Sequence, residues 1–348
     1  MFSNLRSLIF KLDPETAHSL AIKSLKFNFV PNILDEDKNN PLFKTKFFNK
    51  ELENPIGMAA GFDKNAEVYN SLFRLGFGFV EVGTVTPLKQ YGNPKPRVFR
   101  LVEDEALINR LGFNNLGAKN VVSRIKRNNP IGLLGINIGP NKDSTDRMND
   151  YIDCFKTFHE IADYITINIS SPNTQDLRNF HNQKKLNELL QTVNKEKKNL
   201  NSNTPILVKV SPDLNDKEIK SICEVLLNNN VEAVIVSNTS DSSRDDLKNI
   251  QGHQKGGLSG KPIELKTTNL IKKFYTILNG KIKIIGVGGV DSGKGAYEKF
   301  LAGANYIQLY TGMVFRGPNI VNLIKKELRE LLLKDGVKNF SEIIGNTK

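Results

Sequence analysis

Cysteine and histidine are scarce in this 348-residue chain, two and four respectively. Cys154 and Cys223 stand far apart, with no C-x-x-C or metal-ligand spacing, which fits buried thiols in a reducing compartment better than a disulfide framework. His18, His159, His181 and His253 are too widely spaced to suggest a zinc or iron site. No uninterrupted apolar run approaches the ~18 residues of a membrane span. Arg6, Lys11, Asp13 and Glu15 interrupt what would otherwise be a signal-peptide core. A basic arm or nucleic-acid motif is also missing, although Lys and Arg outnumber Asp and Glu 49 to 37 and leave a formal charge of +12. The lysines are scattered, in short clusters at most, such as Lys195, Lys197 and Lys198. They read as solvated helix faces and favour phosphates, carboxylates or an acidic membrane surface over nucleic acid as partners.

What is present is an ordinary globular composition, 39% hydrophobic and 25% charged. After about Asn54, eight short apolar runs recur, each followed by room for a helix: 55–61, 77–84, 132–139, 164–171, 205–211, 233–239, 283–289 and 306–312. Buried parallel strands alternating with amphipathic helices predict a (β/α)8 barrel, with an open doubly wound sheet as the alternative. The helix over 215–229 places Ile219, Ile222, Cys223 and Leu226 on one stripe, with Asp216 and Glu218 in its first turn. The terminal helix from about Pro318 to Lys334 places Ile320, Leu323, Ile324, Leu328 and Leu331 likewise.

Two segments stand outside the repeat. The stretch from Pro87 to Asn114 is too long for a plain strand-to-helix turn. Residues 1–40 precede the barrel, which takes up 41–348. There Asp13-Pro14-Glu15 supplies an N-cap, a proline at the first helical position and an acidic first turn, followed by Ala17, Leu20, Ala21 and Leu25. Leu5, Leu8, Ile9 and Leu12 form an earlier stripe beside Arg6 and Lys11, so a pair of short amphipathic helices is expected.

In such a barrel, chemistry sits at the C-terminal ends of the strands. Polar groups cluster there: Ala59 to Lys64, Thr84, Asn137, Asn168 to Asn173, Lys209, Ser237 to Thr239, Gly286 to Gly289 and Tyr310-Thr311. The run YITINISSPNTQDLR (164–178) is the most informative, since an alternating strand ends in a dense set of amides and hydroxyls suited to a flat polar ligand. The same Ser-Pro-Asn chemistry also makes an ordinary turn. Gly286, Gly288 and Gly289 close the seventh strand, and Tyr310-Thr311-Gly312 closes the eighth, where barrels commonly hold a phosphate. A third glycine-rich segment, 256–260, is expected to be a loop closing over the same anion. Close packing without a ligand is the alternative for each glycine cluster.

Four motifs, GMAAGFDK (57–64), NRLGFNN (109–115), NISSPNT (168–174) and GVGGVDS (286–292), resemble dihydroorotate dehydrogenases from about Leu12 to about Pro318, and the membrane-associated, quinone-reducing class in particular. The resemblance implies FMN, with Gly260, Gly289, Tyr310 and Thr311 at its phosphate. Ala60, Gly61, Phe62, Asp63, Lys64, Thr84, Asn137, Asn168, Lys209 and Ser237 would lie along its ring and ribityl chain. An ammonium at Lys209 would stabilise the negative charge of reduced flavin. Substrate recognition is implied for Lys64, Asn109, Arg110, Leu111, Gly112, Phe113, Asn168, Asn173, Asn238 and Thr239. Asparagine amides match the alternating edge of a dihydropyrimidine, and Lys64 can meet its carboxylate.

Ser171 is the implied general base, in a position where soluble relatives carry cysteine. A serine hydroxyl needs activation, and Thr174, desolvation or a water chain is expected to provide it. The implied activity is oxidation of dihydroorotate to orotate in pyrimidine synthesis, with a membrane quinone as the final acceptor. The expected location is peripheral, at the cytoplasmic side of an inner membrane, and a monomer suffices. Two other readings stay open. One is a non-redox barrel lyase or synthase with a phosphorylated substrate and Lys209 as a Schiff-base amine. The other is a non-catalytic peripheral membrane protein.

Overall fold

Eight short strands close into a parallel barrel: β1 Ile56–Met58, β2 Phe79–Val85, β3 Leu133–Ile138, β4 Tyr164–Asn168, β5 Ile206–Val210, β6 Ala233–Val236, β7 Lys283–Val287 and β8 Tyr306–Leu309. They pair in chain order, and β8 returns to β1. The computed structural model describes residues 2–27, 35–174, 176–242 and 244–346, with side chains from Leu5 onward. Met1 and residues 28–34 of the expected N-terminal segment lie outside them. Each strand is followed by at least one outer helix, from Tyr69–Arg74 after β1 to Ile320–Lys334 after β8. This is the (β/α)8 barrel expected from the eight apolar runs, closed rather than open.

Strands in this setting are covered on both faces, so β2 and β3 are buried along their whole length. The outer faces meet the helices in one large apolar cluster. The inner faces form layers. At the N-terminal end, Phe79, Tyr164, Leu207, Ile235, Ile285 and Tyr306 fill the barrel with apolar bulk. A hairpin of Thr45–Phe47 and Lys50–Leu52 seals this floor with Phe47, whose ring lies 4.7–5.3 Å from those of Tyr306, Tyr164 and Phe79. Above that floor the interior turns polar, at Glu81, Asn137, Thr166, Lys209 and Gln308.

The helices follow their sequence signals. Asp216–Asn228 starts with a reciprocal capping box between Asn215 and Glu218 and buries Ile219, Ile222, Cys223 and Leu226. In Ile320–Lys334 the buried stripe is Ile320, Ile324, Leu328 and Leu332, while Leu323 is 41% exposed. The expected stripe is thus corrected at two positions, because the helix turns Val321 and Leu332 inward. Both cysteines are free and buried.

The long insertion is built rather than loose. Val98–Leu101 and Ala106–Asn109 form an antiparallel pair, joined by Gly257–Gly260 as a third strand. The glycine-rich segment expected as a loop is therefore a strand, and the reason is close approach. A Cβ on Gly257 would stand 1.9 Å from the Thr239 Oγ1. Leu258 in turn exchanges backbone bonds with Ser240.

Two helices precede the barrel, α1 Phe2–Ile9 and α2 Pro14–Lys26. Asp13 caps α2 by accepting from the Thr16 N–H at 2.9 Å, with Pro14 at the first helical position. α2 buries Ala17 and Leu25 and packs on the inserted strand Val98–Leu101 and the helix Tyr69–Arg74. Leu8, Leu20 and Phe27 remain 63%, 50% and 72% exposed. Among the described residues no helix is long and apolar enough to cross a membrane.

Candidate functional site

A cavity of about 160 Å³ opens at the C-terminal ends of the strands, between the barrel and the inserted sheet. Every residue that the family resemblance implies for catalysis, cofactor or substrate lines it except four. Phe62 instead packs edge-on against Tyr310 and against His18 of α2, with centroids 5.6 and 5.1 Å away. Asp63 is buried below the loop after β1, where its carboxylate accepts the Glu67 and Val68 N–H groups at 2.8 and 2.7 Å. Arg110 points outward, donates to the Gln254 side chain and to the Pro96 and Lys255 carbonyls, and stacks on Phe99. Asn137 lies one layer deeper. It accepts from the Thr84 Oγ1 at 2.6 Å and from the Asn168 Nδ2 at 3.2 Å.

The polar lining is mutually oriented. The Thr84 Oγ1 accepts from the Asn168 Nδ2 at 2.9 Å. The Asn168 Oδ1 accepts the Ser170 N–H and Oγ–H at 3.2 and 2.8 Å, and the Asn238 Nδ2 reaches the same Ser170 Oγ at 2.8 Å. Asn173 donates from its Nδ2 to the Asn109 carbonyl at 3.0 Å, tying the loop after β4 to the inserted sheet. Ser171 is 6% exposed, and its Oγ accepts the Asn173 N–H at 3.2 Å. That amide, rather than Thr174, is the polar neighbour of the serine hydroxyl. An N–H aimed at an oxygen stabilises negative charge that develops there.

Two cations face the cavity. Lys209 stands beside Asn168 in the β4–β5 register and is 4% exposed, yet its Nζ has no hydrogen-bond or ion-pair partner among the described residues. Burial lowers its pKa, and the charge of Glu81 pulls it back up. Lys64 donates to the Gly61 carbonyl at 2.6 Å. Burial brings it down to about 8, opposed by Glu15 and Asp63 and reinforced by Arg97.

The far side of the cavity is backbone. The N–H groups of Gly289 and Thr311 find no acceptor among the described residues. Gly289 has φ +76°, and a Cβ there would run into Glu264 at 2.4 Å, so this turn is open only to glycine. The Thr311 Oγ1 donates to the Ser259 Oγ at 2.8 Å and locks the turn after β8 to the inserted sheet. Orphaned amide donors at one end, an unpaired ammonium midway and an array of amides at the other end fit a planar group carrying a phosphate. They suit an anionic heterocycle bound beside it.

Two contributors were not foreseen from the sequence, and a third, Ser259, was expected only as part of a closing loop. Ser259 lines the cavity from the strand that had been expected as a loop. Arg178 ties together the loops after β4 and β6, donating from its Nε to the Ser170 carbonyl at 3.2 Å and from its Nη2 to the Thr239 carbonyl at 3.2 Å. Glu81 is fully buried inside the barrel. Its signal was visible as a lone carboxylate within the apolar run FVEVGTV of β2.

A family model described as "Dihydroorotate dehydrogenase" matches residues 42–332. A Bartonella tribocorum protein named dihydroorotate dehydrogenase (quinone) is 46% identical over 344 residues, covering 97% of this chain and 94% of the relative. One of the same name from Agrobacterium fabrum is 42% identical over 99% of this chain and 95% of its own length. Among solved structures, DHODH from Eimeria tenella in complex with ferulenol superposes with a TM-score of 0.92 at 35% identity, over 96% of this chain and 95% of that one. With one family model spanning the whole barrel and relatives matched almost end to end, N-terminal helices included, the chain belongs to the dihydroorotate dehydrogenase family.

Proposed function

We propose that this chain is a quinone-linked dihydroorotate dehydrogenase that uses FMN to oxidise dihydroorotate to orotate in pyrimidine synthesis. Family membership removes the non-redox lyase and the non-catalytic reading. The observation that carries the site assignment is the convergence of Ser171, Lys209 and the amides of Asn109, Asn168, Asn173 and Asn238 on one cavity whose opposite end offers free backbone donors.

In this reading the Gly289 and Thr311 N–H groups, with Gly260 and Tyr310 around them, hold the FMN phosphate. Lys209 and the Thr84–Asn168 pair lie along its ring. When bound, FMN supplies the acceptor for the hydride that leaves C6 of dihydroorotate. The residues do the rest. Lys64 meets the substrate carboxylate, and the asparagine amides present donors and acceptors to the N–H and C=O groups of its ring. Ser171 takes the proton from C5 while its own hydroxyl proton passes on to water, and the Asn173 N–H that donates to its Oγ holds the side chain in place. Lys209 supplies positive charge where the reaction leaves negative charge, in a site whose low exposure strengthens the effect.

The exposed apolar side chains of α1 and α2, with basic neighbours, suit a peripheral seat in a bilayer interface, where a quinone tail can enter between the helices. The seat is proposed on the cytoplasmic side of an inner membrane. Anaerobic addition of dihydroorotate to the purified yellow protein is expected to bleach its flavin absorbance, and a quinone added next to restore it. A colourless preparation that takes up no FMN would sink the assignment.

A further inference from the structure

The mechanism leaves unused the most buried charge in the barrel. Glu81 has no exposed surface, yet four side chains donate to it. Its Oε1 accepts the Asn137 Nδ2 at 2.8 Å. Its Oε2 accepts the Tyr164 hydroxyl at 3.0 Å, the Thr166 hydroxyl at 3.1 Å and the Gln308 Nε2 at 3.1 Å. Removing a carboxylate from water is costly even with partners, and a neutral group of similar shape would avoid much of that cost. What only a carboxylate offers is two oxygens that accept and never donate.

That property has a directional consequence. Because Glu81 can only accept, the Asn137 NH2 must face it, and the Asn137 oxygen must face the cavity. This oxygen then requires donors, which Thr84 and the Asn168 NH2 supply. With its NH2 so committed, Asn168 turns its oxygen towards Ser170 and Asn238. The chain ends on the Ser170 backbone N–H, a donor that cannot be reversed. We infer that Glu81 is a positioning residue that sets the donor and acceptor polarity of the Asn137–Asn168–Ser170 relay, and through it the face that Thr84 and Asn168 present to the flavin and substrate. The inference rests on the functional reading above.

Replacing Glu81 by glutamine keeps shape and removes the one-way constraint. A glutamine oxygen kept on Asn137 would turn the NH2 onto the Tyr164 and Thr166 hydroxyls and Gln308 and strip all three of their acceptor, whereas with the oxygen on these three donors the NH2 faces the Asn137 Nδ2, donor against donor. Asn137 then turns over, Thr84 can reverse its hydroxyl, but Asn168 must also turn and bring its own NH2 onto the Ser170 N–H. One clash cannot be relieved. A second change, Asn137→Asp, restores the direction. The new carboxylate accepts from the substituted glutamine amide on one oxygen and from Thr84 and Asn168 on the other.

The experiment compares wild type, E81Q and E81Q/N137D by thermal unfolding, by FMN affinity from fluorescence quenching on the apoprotein, and by orotate affinity from the shift in flavin absorbance. E81Q is expected to weaken FMN and orotate binding by about 10- to 100-fold, the effect of leaving a buried polar group unpaired. The double variant should return to within about threefold of wild type. A role for the negative charge alone predicts the opposite first result, since removing an anion beside the buried Lys209 would strengthen rather than weaken the binding of the anionic ligands. If E81Q binds both ligands as wild type does, or if the double variant stays as weak as E81Q, the inference fails. If E81Q does not fold, the double variant decides: folding with FMN bound supports the relay, and failure to bind FMN overturns it. Wild-type protein that takes neither FMN nor orotate would instead refute the functional assignment, which separates the two failures.

Discussion

Arg97 of the inserted segment grips Glu15 of α2, with its Nη2 2.7 Å from the Glu15 Oε1 and its Nε 3.1 Å from Oε2. Its remaining Nη1 donates to the Tyr91 and Asn93 carbonyls at 2.6 and 2.9 Å. One guanidinium thus joins the N-terminal helices to the rim of the cavity. Arg100 adds a second tie, donating to the Phe10 and Leu12 carbonyls and covering the Phe10 ring at 4.4 Å.

Arg97→Leu leaves the Glu15 carboxylate, itself largely shielded, with only the exposed Lys95 ammonium 3.9 Å away. A loss of about 3 kcal/mol in denaturant unfolding is expected, the low end for breaking a shielded ion pair. Flavin reduction by dihydroorotate should survive, while reoxidation by a long-chain quinone slows as α2 loosens. Equal loss in both half-reactions would show that the pair serves the barrel alone.

Removing residues 1–40 carries the same logic further. The truncated chain should still be bleached by dihydroorotate, but its turnover with long-chain quinone and its co-sedimentation with anionic vesicles should both fall sharply. Full-length rates of quinone reduction in the truncated protein would reduce α1 and α2 to a structural cap.

Ser171→Ala should keep FMN and bind orotate, because the serine oxygen is an acceptor for one local N–H and supports no other element. Stopped-flow reduction by dihydroorotate is expected to slow by ~10²–10⁴-fold, the range for losing a general base. A near-normal single-turnover rate would remove Ser171 from that role.

Lys209→Met deletes the only cation whose Nζ reaches the cavity without a partner among the described residues. With that positive charge gone, reduced anionic flavin is less favoured, so the midpoint potential should shift to more negative values and FMN should be held more weakly. Spectroelectrochemical titration measures the shift. An unchanged potential at full FMN occupancy would contradict the placement of Lys209 at the ring.

Lys64 gives the pH dependence a sign. Its folded-state pKa is lowered to about 8, so it is charged below that pH and loses its proton as pH rises through it. A carboxylate ligand binds the charged form. Orotate affinity should therefore be level below about pH 8 and fall about tenfold per pH unit above it. Lys64→Met should flatten that limb, and a limb that persists in the variant would assign it to another group.

The eight barrel strands, the helices between them and the capped start of α2 were legible in the sequence because their signals are local. Parallel strands covered on both faces read as apolar runs, and Asp13-Pro14 announces a helix start within its own few residues. The polar residues at the strand ends could be named for the same reason, since a barrel brings every strand end to one face. Tertiary structure decided the rest. Only the folded chain pairs Gly257–Gly260 with Ala106–Asn109, ties Glu15 to Arg97, and converges the side chains of Asn137, Tyr164, Thr166 and Gln308 on Glu81. It likewise turned Arg110 outward and sank Asp63 and Asn137 below the cavity, positions that residue type alone does not distinguish. The partners of Glu81 lie from 56 to 227 residues away along the chain. A local pattern carries no record of which distant donor meets which acceptor, because that choice is made by the closure of the barrel and by the requirement that each buried polar group find a partner.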